Sequence, residues 1–247
     1  MEATDALDLL EEVAAAVGHR LRSLDDWREA GTRAGQYRSD LAADAAALAV
    51  LEPAGVGVLS EESGGHWADR PVTVVLDPLD GSTNASRGIP WYATSLCAVD
   101  ARGPLAALVV NLATGARFSA ARGQGATAGA QQARPSTATT METSIVGLSG
   151  LPPAWLGWMQ FRALGAVALD LCAVATGALD AYIDCSASAH GPWDYLGGML
   201  VCTEAGAVVA DAEGRDLVVL DHAARRTPVA AATPELLAEA LAARARF

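Results

Sequence analysis

Two aspartates flank a proline at the end of an apolar run in Val74-Val75-Leu76-Asp77-Pro78-Leu79-Asp80-Gly81-Ser82-Thr83-Asn84. Pro78 fixes one backbone dihedral and stiffens the turn, so the two carboxylates are aimed. Gly81 permits close backbone approach. Ser82 and Thr83 resemble the start of a helix, whose exposed amides would bind an anion such as phosphate. Carboxylate oxygens with a backbone carbonyl suit a hard cation such as magnesium. Two further segments carry acids in similar settings: Glu61-Glu62 after the apolar Val58-Leu59-Ser60, and Asp194 in His190-Gly191-Pro192-Trp193-Asp194. Each segment alone also reads as ordinary surface: a turn, an acidic loop, or the first turn of a helix.

These acids sit in a chain of 247 residues that is 51% hydrophobic, enough for one compact domain, with lobes at about 1–140 and 141–247. The formal net charge is -12, and all 17 basic residues are Arg. That balance argues against a nucleic-acid polymer or an anionic membrane as partner. No apolar run reaches the ~18 residues that span a bilayer, and the acidic start lacks a secretory signal, so a cytoplasmic location is expected. Cys97, Cys172, Cys185 and Cys202 are widely spaced and read as buried free thiols. His66 and His190 lie near the acidic segments and could line a pocket, although a plain surface role is the expectation for each.

The elements that position the acids follow from periodicity. Leu7, Leu10, Val13, Ala14 and Val17 mark one helix, and Leu41 to Leu51 a second. Val56–Ser60 and Val72–Leu76 read as strands running into the acids. An antiparallel meander is expected from Thr94 to about Ala126, then a loop or a frayed edge from Ala128 to Thr140. Ser144–Leu148 and Leu179–Cys185 read as strands, and Val167–Thr176 as a buried helix. Trp193–Ala205 is a helix closed by Gly206. Ala207–Ala210, Leu217–Leu220 and Val229–Ala232 read as short strands before a final helix at Pro234. Helices and strands without a regular βαβ rhythm predict layered α+β or α/β packing.

Taken together, Glu61-Glu62-Ser63, Asp77-Pro78-Leu79-Asp80-Gly81-Ser82-Thr83-Asn84 and Trp193-Asp194 resemble the inositol monophosphatase family, in the same order along the chain. Arg162 to Ala168, Gly177 to Tyr182 and Glu204-Ala205-Gly206 extend the resemblance to roughly residues 30–215. It implies an αβαβα sandwich of the sugar-phosphatase type, a lithium-sensitive activity and a homodimer. It also implies two magnesium ions, one held by Glu62, Asp77 and the Leu79 carbonyl, the other by Asp77, Asp80 and Asp194. Gly81 and Ser82 amides would hold phosphate, with Thr83 and Gly165 beside them, and the Ser82 hydroxyl would position the attacking water. Asp44 resembles the upstream acid that pairs with that hydroxyl and supports a third magnesium. Such pairs of cations clamp the attacking and leaving oxygens of an in-line displacement.

The chain departs from that pattern in places. The upstream stretch Gln36 to Asp44 lacks the usual Lys and Thr, and Ser82 stands where Thr is common. Asp184 is the nearest match to the acid that holds sugar hydroxyls, although the connection from Cys185 to His190 is longer than usual. Inositol monophosphate is the reference substrate. Histidinol phosphate, fructose 1,6-bisphosphate and a nucleotide 3'-phosphate are alternatives on the same fold, and a non-catalytic metal- or phosphate-binding protein is the rival of another class.

Overall fold

The computed structural model describes residues 1–27, 36–186 and 190–246. Helices α1 (Ala3–Arg22) and α2 (Arg38–Leu51) lead into strands β1 (Gly57–Ser60), β2 (Gly64–His66) and β3 (Thr73–Asp80). A short helix α3 (Ser82–Arg87) separates β3 from the meander β4 (Ala93–Asp100), β5 (Gly103–Asn111), β6 (Arg117–Ala121), β7 (Gly125–Ala128) and β8 (Gln131–Gln132). Next come β9 (Ile145–Ser149), β10 (Gln160–Arg162), α4 (Val167–Ala175) and β11 (Ala181–Asp184). The chain closes with α5 (Pro192–Ala205), β12 (Val208–Asp211), β13 (Pro228–Ala231) and α6 (Pro234–Arg244).

Strand alternation sorts the apolar residues into layers. In β3, Val74 and Leu76 join the core under α1 and α2, while Val75 faces the other way. In β5, Ala106, Leu108 and Val110 make the same choice, and Ala107 and Val109 oppose it. These strands belong to an eight-stranded sheet of order β2-β1-β3-β4-β5-β6-β7-β8. A five-stranded sheet of order β10-β9-β11-β13-β12 lies beyond α4 and α5. Its Tyr182 and Ala230 face those helices, and Ala181, Ile183, Val229 and Ala231 face α6. The result is an αβαβα sandwich. Every residue of α4 is buried, as a helix between two sheets requires.

Two glycines set how closely α5 can pack. A Cβ on Gly197 would lie 2.7 Å from Ser95 Oγ, on the side of the larger sheet. A Cβ on Gly198 would lie 2.6 Å from Leu171 Cβ, on the side of α4. The helix that carries Asp194 thus sits at a spacing open only to residues without side chains.

Most expected elements form; within the stretch expected as a loop or frayed edge, Gln131–Gln132 form the edge strand β8. Residues 217–220 are not a strand: Val218 and Leu220 are exposed, and the Leu217 carbonyl accepts a 2.7 Å hydrogen bond from the Tyr195 hydroxyl. Strands β2 and β10 and helix α3 are too short to leave a periodic signal. All four cysteines are buried free thiols. No helix among the described residues is long and apolar enough to cross a membrane.

Gly198→Ala should cost about 1–3 kcal/mol by overpacking, outweighing the roughly 1 kcal/mol that alanine gains in helix propensity. A lowered midpoint in thermal or urea unfolding reads this out.

Candidate metal centre

Strands β1 and β3 run parallel, with Ser60 beside Leu76. One residue further, the Glu61 amide donates to the Leu76 carbonyl at 3.1 Å, so Glu61 and Asp77 leave the sheet side by side. By alternation they share the face of Leu59 and Val75, toward α4 and α5. Asp194 arrives at the same point from the first turn of α5. One carboxylate oxygen from each of Glu61, Asp77 and Asp194 lies within 4.8 Å of the others.

Asp80 joins through an irregularity in β3. Asp77 pairs with Ser95 and Asp80 with Ala93, so β3 carries one residue more than β4 over this stretch. Residues three apart on a regular strand face opposite ways, and a bulge of one residue returns Asp80 to the face of Asp77. Pro78, which has no N–H to offer the ladder, sits inside it, and its carbonyl accepts from Thr94 Oγ1 at 2.9 Å. Backbone amides fix the three aspartates. Leu79 N donates to Asp77 Oδ1 at 2.9 Å, Ala168 N to Asp80 Oδ2 at 2.8 Å, and Gly191 N to Asp194 Oδ2 at 2.8 Å. Asp80 thereby caps α4, whose own cap position, Ala166, has no side-chain acceptor.

The electrostatics follow from crowding. Burial, then the charges of Glu61, Asp80 and Asp194, hold Asp77 well above the usual carboxylate range. Burial and Asp194 do the same to Asp80. Burial, Asp194, Glu62, Asp80 and Asp40 push Glu61 up to about 8. Converging carboxylate oxygens, from buried Asp77 and half-buried Glu61 and Asp194 with no thiolate among them, fit a hard divalent cation of the magnesium type.

The structure rearranges several of the residues singled out in the sequence. Of the adjacent pair, Glu61 reaches Asp77 and Asp194, whereas Glu62, expected as the ligand, lies on the opposite parity and pairs with the Gln36 amide. Asp44 is buried on α2 and accepts from Ser60 Oγ at 2.5 Å, so its hydroxyl partner is Ser60 and not Ser82. Ser60 Oγ in turn accepts from Glu62 N at 3.1 Å. Leu79 buries its side chain in the α1/α2 core. Gly81 has φ +82°, and a Cβ there would stand 3.0 Å from the Trp91 carbonyl and 3.1 Å from Ala166 Cβ. Ser82 opens α3, and Thr83 Oγ1 shares a 3.3 Å hydrogen bond with the Tyr37 hydroxyl. Asn84 Nδ2 donates to the carbonyls of Trp91 (2.8 Å) and Leu164 (2.7 Å), which brings Gly165 beside the Gly81 turn.

Asp184 is fully buried at the end of β11, where its Oδ1 accepts from the Ser186 amide at 2.8 Å. His190, expected at the surface, is also buried, because backbone bonds with Arg226 draw it into the fold. Its Nδ1 lies 3.4 Å from Asp194 Oδ2 and its Nε2 3.6 Å from Asp184 Oδ2. Burial alone would lower its pKa, but Asp184 and Asp194 outweigh that and raise it to about 10. Two acids near the centre escaped the sequence reading. Asp40 lies in the first turn of α2, and its charge reaches Glu61. Asp170 is buried on α4, accepts from Trp91 Nε1 at 2.9 Å, and is pushed by burial to about 7. The signal for Asp170 was a lone carboxylate inside the apolar Val167–Ala175.

A five-layer sandwich with this carboxylate cluster where β1, β3 and α5 converge defines a class of metal-dependent phosphatases. The chain belongs to the inositol monophosphatase family, whose sequence profile matches residues 39–247, and it is a phosphatase. It is 34% identical over 203 residues to the fructose-1,6-bisphosphatase/inositol-1-monophosphatase of Thermococcus kodakarensis, covering 80% of this chain and 78% of that protein. It is 34% identical over 174 residues to the Nus factor SuhB of Salmonella typhimurium, covering 64% of this chain and 63% of that one. Among solved structures, a Pyrococcus horikoshii protein with similarities to inositol-1 monophosphatase superposes with a TM-score of 0.83 at 25% identity, over 97% of this chain and 96% of that one. The inositol monophosphatase of Anabaena shares the fold, with a TM-score of 0.81 at 24% identity, over 99% of this chain and 96% of that one.

Unit charges about 5 Å apart repel by roughly 3 kcal/mol at an effective dielectric near 20. In chelator-treated protein, Asp77→Asn should therefore raise stability by about 1–3 kcal/mol, read by thermal unfolding. Glu61 holds its proton more tightly folded than unfolded. Its contribution is thus full below the unfolded value of 4.5 and is lost as pH rises through about 8. The melting temperature of the chelated wild type should fall across that window, and Asp77→Asn should flatten the fall.

Proposed function

We propose that the protein hydrolyses a small phosphate monoester with magnesium held by Glu61, Asp77, Asp80 and Asp194. The convergence of Glu61, Asp77 and Asp194 carboxylate oxygens within 4.8 Å carries this reading. When bound, the cation supplies an acidified water at neutral pH and neutralises charge on the phosphoryl oxygens. The residues of the chain do the positioning. The Asp77 and Asp80 carboxylates are aimed by the bulge in β3 and by the Leu79 and Ala168 amides. The left-handed turn at Gly81 presents the Gly81 and Ser82 amides to the phosphate, and the Ser82 hydroxyl orients the attacking water. Asn84 holds the 164–165 segment against that turn. In this scheme the first lobe supplies Glu61, Asp77 and Asp80, and the second supplies Asp194.

The Thermococcus relative, named for both fructose 1,6-bisphosphate and inositol 1-phosphate, makes those esters the first substrates to test. The same reading includes a cytoplasmic site of action, in keeping with four buried free thiols. It also includes lithium inhibition and a homodimer. Exposed Leu151, Trp155, Met159 and Phe161, in the segment around the edge strand β10, give an apolar surface that such a dimer would cover. Light scattering at twice the 25.3 kDa chain mass would support the dimer.

Magnesium-dependent release of phosphate from these esters should be abolished by a chelator. Asp80→Asn should lower kcat/KM at least about 100-fold, the scale of losing one preorganised electrostatic group, with the fold intact by circular dichroism. A wild type inactive with magnesium on every ester would instead support a non-catalytic binding protein.

A further inference from the structure

His190 and Asp184 have no part in the scheme above, yet both are buried against it. Asp184 is 0% exposed, so a hydroxylated substrate has no path to its carboxylate. Its Oδ1 is satisfied by the Ser186 amide and hydroxyl. Its Oδ2 is buried and receives no hydrogen bond. Such an oxygen is costly to bury unless a polar partner faces it. What faces it is the His190 imidazole, with Nε2 at 3.6 Å. The Tyr182 hydroxyl closes the same side, 3.3 Å from Nε2. Arg244 pins the strand end by donating from Nε to the Asp184 carbonyl at 2.7 Å, so the carboxylate is held as well as sealed.

The other ring nitrogen points at the metal centre. Nδ1 lies 3.4 Å from Asp194 Oδ2, the oxygen that already accepts from Gly191 N. Two donors converging on one oxygen fix the rotation of a carboxylate. Carboxylate oxygens thus face both ring nitrogens, and the imidazole is held between Asp184 and Asp194.

We propose that Asp184 and His190 are a positioning pair for Asp194: Asp184 holds the imidazole, the imidazole holds the Asp194 carboxylate, and Asp184 makes no contact with substrate. The proposal rests on the phosphatase reading for the role of Asp194. It reverses the assignment that the sequence suggested for Asp184, from substrate recognition to metal affinity. Outer partners of metal ligands act in this way by fixing the orientation of the ligand they touch.

The test is magnesium binding by isothermal titration calorimetry on the full chain, alongside KM for inositol 1-phosphate. Asp184→Asn keeps the side-chain volume and should raise the magnesium dissociation constant about 10-fold or more, with KM at saturating magnesium within about 2-fold. A higher KM with an unchanged dissociation constant would make Asp184 a substrate contact and overturn the proposal. So would any result that leaves magnesium affinity within about 2-fold of wild type. If Asp184→Asn does not fold, two variants at His190 decide. His190→Asn keeps an N–H near the position of Nδ1 and should lose less affinity than His190→Gln, which displaces it; equal affinities would refute the pair. A wild type that neither binds magnesium nor releases phosphate would count against the phosphatase reading itself, separately from this one.

Discussion

Buried carboxylates that repel one another can share a site only if the chain holds each of them rigidly. Here the restraint comes from the backbone. Leu79, Ala168 and Gly191 amides each donate to one acid, and those amides belong to the β3 bulge, the start of α4 and the approach to α5. The layered fold supplies the surroundings: sheet alternation packs apolar residues on both sides, and Gly197 and Gly198 let α5 close down on the sheet and on α4. Repulsion between the acids is thus stored by the same contacts that make the core, and a cation is its natural release.

That constraint explains which features the sequence showed. The Asp77 to Asn84 segment is local, so its stiffness and its acids can be read from adjacent residues. The choice between Glu61 and Glu62 depends on parity relative to a strand that follows, through the register of Ser60 with Leu76. Spacing alone shows two equivalent glutamates. Counting outward from the apolar Val58 and Leu59 to the face of Asp77 would have selected Glu61. Asp44 meets the Ser60 hydroxyl for a related reason, because Ser60 lies on the helix-facing side of β1.

The misplacement of His190 has a different origin. A histidine after a long polar connection reads as exposed, and only the antiparallel bridge to Arg226, from a distant part of the chain, buries it. The failed strand at 217–220 shows the same limit in reverse. Its apolar residues were visible, but its backbone was committed to a tyrosine side chain from α5. Periodicity reports what a segment prefers; tertiary partners decide how its polar groups are used.

Asp80 has one further consequence through its cap on α4. During synthesis the first half of the chain emerges with Glu61, Asp77 and Asp80, but with neither the Ala168 amide nor Asp194. A nascent first sheet therefore presents an acidic edge with no helix start to neutralise it and too few ligands to close around a cation. Contacts between such distant segments form late, since loop closure must precede them. The cluster completes itself only once α4 and α5 have been made and docked, so a cation held by these acids would be captured only as the middle layer arrives and the two sheets come together.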